Sequence, residues 1–135
     1  MSRPGPPAGV AEALEALSRA FASRDVEAAL ACFADDDSVL YSGSEVGEVA
    51  AGRDEIRSLL AGLFARGSAY SWDVTELWAS SRGDLALVTA EAVGHSHNAE
   101  GGEDFAYRLT GVLSRGADGY RWLQLHGAEP TAPDD

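Results

Sequence analysis

The sequence predicts a single domain of the α+β class. Three amphipathic helical patterns come first in the 135-residue chain, and four segments with the two-residue period of β-strands follow them. Helices and strands segregated in this way are typical of an antiparallel sheet with its helices on one face. With 45% hydrophobic residues the chain can form one core, and it is too short for two ordinary domains. We therefore expect one domain over residues 8–130, a disordered lead over 1–7 and a frayed acidic tail over 131–135.

The first two helices are predicted from apolar spacing and a capping residue. Four apolar residues recur at intervals of four, three and four, which indicates a first helix over residues 8–23 with one buried face. They are Val10, Leu14, Leu17 and Phe21. Asp25 is placed to cap a second helix over 25–34, on which Cys32 is expected as a small core residue. The aspartates at 35–37 favour a solvated turn that ends this helix, rather than a cation site.

A brief strand and a loop separate these helices from a third one. The strand is expected over residues 38–41 and the loop over 42–51. The third helix opens at Gly52 and ends near Gly67. Its predicted buried face consists of Ile56, Leu59, Leu60, Leu63 and Phe64.

After Gly67 the apolar period changes to about two, which predicts a four-stranded antiparallel meander. Turn-forming residues divide this half of the chain into separate strands, with a longer hairpin loop over 96–104. The predicted strands cover residues 71–79, 85–95, 105–114 and 120–127.

Charge and cysteine content exclude several classes of function. The formal net charge of −12 repels phosphate backbones and anionic lipid surfaces, so neither nucleic acid nor membrane partners are expected. No apolar stretch reaches the length of a membrane span, and residues 1–9 do not read as a secretory signal. The single cysteine, Cys32, cannot form an intrachain disulfide, which favours a reducing cytoplasm.

Two groups of motifs resemble the nuclear transport factor 2-like superfamily and its SnoaL-like subgroup. The first comprises FADDDSV at 33–39 and GRDEI at 52–56. The second comprises YRLT at 107–110, GYRW at 119–122 and LHGAEP at 125–130, where Ala128 replaces a usual serine. The resemblance implies a cone-shaped, barrel-like fold, with three N-terminal helices packed on a strongly curved sheet around one small-molecule pocket. The family includes isomerases, cyclases, dehydratases and non-catalytic binding proteins, so the fold alone does not define a reaction.

The ketosteroid isomerase pattern within this superfamily provides a residue-by-residue comparison. Its tyrosine, aspartate base and strand acid align here with Leu17, Tyr41 and Thr110. None of the three is the residue that this chemistry requires, because proton abstraction beside a carbonyl needs a carboxylate or an imidazole. The resemblance therefore does not extend to steroid isomerisation, unless the alignment is displaced by one residue.

A polar stripe is predicted on the last two strands. Arg108 and Thr110 alternate with apolar neighbours, and Gln124 and His126 do so on the next strand. In one interpretation, the side chains of the stripe point into the cavity and bind a ligand, with Trp122 among the apolar walls. The other places it on the outside of the sheet, in solvent or in a dimer interface. The sequence leaves both interpretations open.

The histidines and one charged pair have structural alternatives. His95 and His97 share a strand face and His126 could approach them, which would suit a transition metal. The alternative, which we favour, is that His95 and His97 are solvated hairpin residues, and no metal is assigned. Glu91 and Arg108 would simply pair if they face each other on neighbouring strands.

The resulting hypothesis is a protein that binds a small apolar, carbonyl-containing or polycyclic metabolite without a cofactor, in the manner of a SnoaL-like cyclase or isomerase. His126 is the candidate acid or base, and Tyr41 and Arg108 would hold a carbonyl oxygen. The expected pocket consists of Leu17, Phe21, Tyr41, Phe64, Arg108, Thr110, Trp122, Gln124 and His126. The alternative is a non-catalytic ligand-binding or dimerisation module. A homodimer is expected through apolar strand residues that include Leu85, Leu87, Leu109 and Leu113.

Overall fold

The computed structural model describes residues 5–132 and confirms the α+β class. Its helices lie in the first half of the chain, as the periodicity predicted. They are α1 Val10–Ser23, α2 Val26–Ala31 and α3 Arg53–Phe64. The strands are β1 Leu40–Ser42, β2 Val49–Ala51, β3 Ala69–Arg82, β4 Leu85–Asn98, β5 Gly101–Gly116 and β6 Gly119–Ala128. Part of the predicted disordered lead and tail falls on residues outside the described range.

The strands form one six-stranded mixed sheet in the order β2-β1-β6-β5-β4-β3. The four long strands make the predicted antiparallel meander, and β1 extends it by pairing in parallel with β6. The sheet is open, with β2 and β3 at its edges. The predicted loop over 42–51 was wrong at its end, because residues 49–51 pair with β1. Three residues are too few for a strand period to be visible in a sequence.

The hairpin between β4 and β5 is much tighter than predicted. A longer loop over 96–104 was expected, yet pairing continues to Asn98 and resumes at Gly101, which has a φ of +132°. Polar residues of this segment, including His97, therefore lie within strands. Backbone pairing does not require apolar side chains where both strands are exposed to solvent. The polar sequence of these strand ends therefore gave no apolar period from which to predict them.

The second helix has the predicted cap and an earlier end. The Asp25 carboxylate accepts a hydrogen bond from the backbone N–H of Ala28 at 3.0 Å, as its position indicated. The helix ends at Ala31, three residues before the prediction, because Phe33 forms a parallel bridge with Trp122. The N–H of Ala34 donates to the Trp122 carbonyl at 2.8 Å, which ties the end of α2 to the sheet.

Arg53 links the two N-terminal motifs that carried the family resemblance. Its guanidinium donates to the backbone carbonyls of Phe33 at 3.0 Å and Ala34 at 2.9 Å. These carbonyls follow α2 and would otherwise lack partners in the helix. The start of α3 is thereby fixed against the end of α2, which positions both helices over the sheet.

The helices cover one face of the sheet, and α1 also covers its β3 edge. The Ser18 hydroxyl donates to the Trp72 carbonyl at 3.0 Å and accepts from the Trp72 N–H at 2.9 Å. An edge strand has backbone groups without a strand partner, and where the strand is buried, at Trp72, Ser18 supplies the partners. No helix within residues 5–132 is long and apolar enough to cross a membrane.

Candidate functional site

A cavity of about 80 Å³ lies between the helices and the covered face of the sheet. We call it the interior cavity. Residues from α1, α3, the β1–β2 connection, β3 and β5 surround it. Its lining consists of Phe21, Tyr41, Ser44, Glu45, Glu48, Leu63, Arg66, Tyr70, Ser71, Trp72, Phe105, Tyr107 and Glu129.

Aromatic rings in mutual contact form much of the cavity wall. Trp72 lies 5.2 Å from Phe21 and 5.7 Å from Tyr107, measured between ring centroids. Tyr107 in turn meets Phe105 edge-on at 5.8 Å. Gly127 lies directly against Tyr107, and a Cβ at position 127 would collide with the phenol ring. The wall therefore depends on a glycine in β6 as well as on the aromatic residues themselves.

Two phenol hydroxyls of the cavity have no hydrogen-bond partner within residues 5–132. They belong to Tyr41, which is 4% exposed, and to Tyr107. Burial raises the pKa of Tyr41 well above its ordinary value, and Tyr107 and Glu48 raise it further. Burial also raises the pKa of Tyr107, with Glu48 and Glu129 adding to the effect. Both phenols therefore remain protonated and can donate hydrogen bonds to a ligand.

Glu48 is the buried carboxylate of the cavity. The residue is 9% exposed, and one of its oxygens accepts a hydrogen bond from the backbone N–H of Glu45 at 2.9 Å. The contact fixes Glu48 within the β1–β2 connection, directed towards the cavity that it lines. No ion pair joins Glu48 to a cation in the described part of the chain.

Polar contacts tie the β1–β2 connection across the rim of the cavity. The Ser44 hydroxyl donates to Glu129 at 3.0 Å, and Arg66 pairs with Glu45 at 3.4 Å. The Arg24 guanidinium donates to the carbonyl of Arg66 at 3.1 Å. These contacts join separate segments of the chain around the opening, and all of them lie at the exposed surface.

The predicted apolar pocket residues all lie on the helix side of the sheet. Phe21 and Tyr41 line the interior cavity. Leu17 and Trp122 are fully buried in the core, and Phe64 packs edge-on against Phe21 at 5.1 Å. These three contribute to the core around the cavity rather than to its surface.

The structure places the polar stripe on the opposite face, which corrects its expected position in the cavity. Arg108, Thr110, Gln124 and His126 lie on the face turned away from the helices, which we call the outer face. A β-bulge in β6 explains the difference. Val112 pairs with Gln124 and Leu113 with Trp122, so Leu123 has no partner and the alternation of side chains along β6 reverses there. Trp122 consequently faces the helices, although it lies two residues from Gln124.

The same geometry tests the alignment with the isomerase pattern. Tyr41 faces the interior, opposite Leu125 in the β1–β6 pair. Thr110 pairs with His126 on the outer face, whereas its neighbour Leu109 is buried under the helices. The side chain that faces the interior at this point of β5 is therefore that of Leu109. Neither the direct alignment nor the one displaced by one residue places an acid there.

The predicted pairing of Glu91 with Arg108 is confirmed. The two residues face each other between β4 and β5, and the Arg108 Nε donates to the Glu91 carboxylate at 2.6 Å. The pair lies on the outer face, so the guanidinium is engaged there by a strand neighbour. The sheet separates the Arg108 side chain from the interior cavity.

His95 lies between two carboxylates on the outer face. Its ring nitrogens are 2.7 Å from Asp104 and 2.8 Å from Asp73, and His97 stacks on it at 6.4 Å. Hydrogen bonds to Asp104 and then to Asp73 raise the pKa of His95. Among residues 5–132, no group of three or more His, Cys, Asp or Glu side chains is arranged to hold a metal ion.

The His95 arrangement predicts a pH-dependent contribution to stability. A histidine whose pKa is raised by folding stabilises fully below its unfolded pKa of about 6.5, and the effect is lost as pH rises through the higher folded pKa. We expect His95→Ala to lower the free energy of unfolding more at pH 6 than at pH 9. Urea unfolding of both proteins across this range measures the difference. A difference that does not change with pH would contradict the prediction.

Several cavity residues were missed by the sequence analysis. Glu48 lies in a segment without periodicity, and turn hydrogen bonds with Glu45 and Gly43 hold it in place. Trp72 and Tyr107 were placed on predicted strands but not in the pocket. One signal in the sequence could have found Tyr107. It is next to Arg108 on the same strand, so Tyr107 must face inward if the polar stripe faces outward.

The sequence matches a known protein family over most of its length. The family model of the SnoaL-like domain matches residues 10–132. The chain belongs to the SnoaL-like domain family. No curated protein matches the sequence at a significant level.

Solved structures share the fold of this SnoaL-like domain at low sequence identity. A proposed dehydratase of the NTF2-like family from Streptomyces avermitilis has a TM-score of 0.78 and 23% identity, over 92% of this chain and 95% of that one. ActVI-ORFA from Streptomyces coelicolor has a TM-score of 0.74 and 20% identity, over 90% and 95% of the two chains. A ketosteroid isomerase-like protein from Erwinia carotovora atroseptica has a TM-score of 0.72 and 20% identity, over 93% and 96%. These likenesses establish the fold.

Proposed function

We propose that the interior cavity binds a compact small molecule, and that this is the functional site of the domain. The observation that carries the proposal is the pair of phenol hydroxyls, on Tyr41 and Tyr107, that lack partners next to an internal space. A polar group that faces an internal space without a protein partner marks a place where a ligand or water completes the structure. A ligand oxygen that accepts from either phenol supplies that partner.

The cavity volume restricts the size of this ligand. About 80 Å³ is well below the 300–1,000 Å³ that is typical of small-molecule pockets. A polycyclic metabolite therefore does not fit within this volume, and a molecule with a few heavy atoms does. The aromatic walls favour a body with little hydrogen-bonding surface and one acceptor group.

The same residues support cyclase or isomerase chemistry on a carbonyl compound. Tyr41 and Tyr107 would donate to the carbonyl oxygen and stabilise negative charge that develops on it. Glu48 would accept the proton from the neighbouring carbon, which replaces the role first considered for His126. His126 and Arg108 lie on the outer face and take no part in this scheme. A non-catalytic binding protein remains the alternative, with the same cavity and no turnover.

Native mass spectrometry tests the binding proposal on the purified full chain. We expect a small molecule of low mass to be retained under gentle ionisation and released on denaturation. If the retained molecule is lost during purification, fragments of similar size are screened for thermal stabilisation of the protein instead. The absence of both a retained molecule and any stabilising fragment would contradict the proposal.

The outer face favours a second proposed role, the formation of a homodimer. Its groove, of about 760 Å³, is lined by residues that include Trp78, Leu87 and Val112, and Leu87 is 44% exposed. Among residues 5–132, no carboxylate lines this groove, so a second copy of the chain can approach it despite the net charge of −12. Leu85 also lies on this face, whereas Leu109 and Leu113 are buried under the helices and cannot contribute to an interface.

Replacement of Leu87 by glutamate tests the dimer. A carboxylate in the centre of an apolar interface is desolvated without a partner, so we expect Leu87→Glu to give a monomer. Ala61→Glu adds the same charge on the exposed side of α3 and should leave the dimer intact. Sedimentation velocity distinguishes the two species. A wild-type monomer, or a dimer that survives in Leu87→Glu, would contradict the proposal.

The proposed surroundings of the protein follow from its charge and its cysteine. The net charge of −12 supports the absence of nucleic acid and anionic membrane partners. Cys32 is partly buried, and burial raises the pKa of its thiol, so it is a poor nucleophile. A reducing cytoplasm is the location we propose, because nothing in the chain uses a disulfide.

A further inference from the structure

Glu48 is a carboxylate held largely out of water without a cation beside it. Its single hydrogen bond, from the Glu45 N–H, leaves most of its acceptor capacity unused within residues 5–132. A buried carboxylate is costly unless an opposite charge or several hydrogen bonds offset the loss of hydration. Since Glu48 lines the cavity, a ligand is well placed to provide that charge.

The aromatic walls suit a positive charge for a separate reason. Six aromatic residues line the cavity: Phe21, Tyr41, Tyr70, Trp72, Phe105 and Tyr107. The face of each ring carries a partial negative charge and attracts cations, most strongly when the cation is alkylated and poorly hydrated. A cavity of this composition suits an ammonium group with small substituents.

The charges that line the cavity also favour a cation over an anion. Within the described range, three carboxylates line the cavity, those of Glu45, Glu48 and Glu129, and one guanidinium does, that of Arg66. Arg66 pairs with Glu45, so Glu48 and Glu129 remain without a cationic partner in the described chain. With a net charge of −12 on the whole protein, the local field attracts cations and repels anions.

We propose that the interior cavity is selective for compact organic cations that also carry an oxygen acceptor, of the amino alcohol or amino ketone class. The ammonium group lies against the aromatic rings with Glu48 as its counter-ion, and the oxygen accepts from Tyr41 or Tyr107. Such a ligand satisfies the unpaired carboxylate and the unpaired phenols together. This inference rests on the proposed function, because it names the ligand class of the same cavity.

Three probes of nearly equal shape test the charge preference. They are choline, its uncharged carbon isostere 3,3-dimethylbutanol, and the anionic 3,3-dimethylbutanoate. In isothermal titration at low salt with the full chain, we expect choline to bind about tenfold or more tightly than the alcohol. The carboxylate should show no binding.

Matched variants separate the role of Glu48 from that of overall charge. Glu48→Gln keeps an oxygen that can accept from the Glu45 N–H, so the connection should retain its conformation. We expect it to reduce the choline affinity about tenfold and to leave the affinity for dimethylbutanol nearly unchanged. Glu100→Gln removes the same charge at the distant β4–β5 turn and should have no effect.

The outcomes distinguish this inference from the proposed function. Equal affinities for choline and dimethylbutanol, or a choline affinity unchanged in Glu48→Gln, would overturn the charge preference. If a neutral compound occupies the cavity while choline does not, the charge preference is wrong and the proposed function stands. If none of the three probes binds and no other small molecule is retained, both fail together.

Discussion

Replacement of Trp122 by alanine is expected to lower the free energy of unfolding by about 3–5 kcal/mol. Trp122 is fully buried at the point where β6, β5 and the end of α2 meet. Its removal leaves a cavity that the surrounding sheet cannot close. The loss is a large share of the roughly 5–15 kcal/mol that stabilises a typical domain. Urea unfolding followed by circular dichroism measures it.

Trp122→Phe provides the comparison. The indole nitrogen of Trp122 is buried and has no hydrogen-bond partner in the described chain, so phenylalanine removes an unsatisfied donor together with part of the ring. We expect this variant to lose clearly less stability than the alanine variant. An alanine variant that loses under about 1 kcal/mol would show that Trp122 does not hold the sheet to α2.

Removal of both cavity phenols is expected to reduce ligand affinity about 10- to 100-fold. Each hydrogen bond to a ligand contributes about 0.5–1.5 kcal/mol to binding. A site that binds an oxygen through its donors therefore loses affinity when those donors are removed. The double variant Tyr41→Phe and Tyr107→Phe keeps both rings in the wall. Tyr41 packs edge-on against Phe33 at 6.0 Å, a contact that phenylalanine preserves. Isothermal titration with the retained molecule, or with a fragment that stabilises the protein, measures the change.

Tyr120→Phe is the matched control for the phenols. Tyr120 is partly buried against the core and does not line the cavity, so the loss of its hydroxyl should leave ligand affinity unchanged. An affinity in the double cavity variant that equals that of wild type would mean that the ligand does not bind through these hydroxyls. The proposal for a carbonyl or alcohol oxygen at this position would then be wrong.

Much of the fold could be predicted because its signals are local. The apolar spacing of α1 and the capping position of Asp25 depend on neighbouring residues, and both appear in the structure as predicted. The pairing of Glu91 with Arg108 also followed from counting along an antiparallel hairpin. The strand β2 and the tight β4–β5 turn were missed, since short or solvent-facing strands lack an apolar period.

The site could be predicted only in part because it depends on which face each strand turns inward. Tyr41 and Phe21, which were expected in the pocket, lie on the interior side and line the cavity. Gln124 and His126 were grouped with Trp122 by simple alternation, which the bulge opposite Val112 interrupts. A bulge of one residue reverses the facing of everything beyond it, and its position depends on the partner strand. Glu48 reaches the cavity through a loop, for which no periodic signal exists.

The tryptophan indole signals provide the most direct test of the central claim, that ligands bind in the interior cavity rather than on the outer face. The chain has three tryptophans in three environments: Trp72 lines the cavity, Trp78 lines the outer groove and Trp122 lies in the core. Their indole N–H signals in a ¹H–¹⁵N NMR spectrum can be assigned by single replacements with phenylalanine. Titration with small amines, alcohols and ketones should shift the Trp72 signal and leave that of Trp78 in place. Binding that shifts Trp78 and not Trp72 would contradict the account.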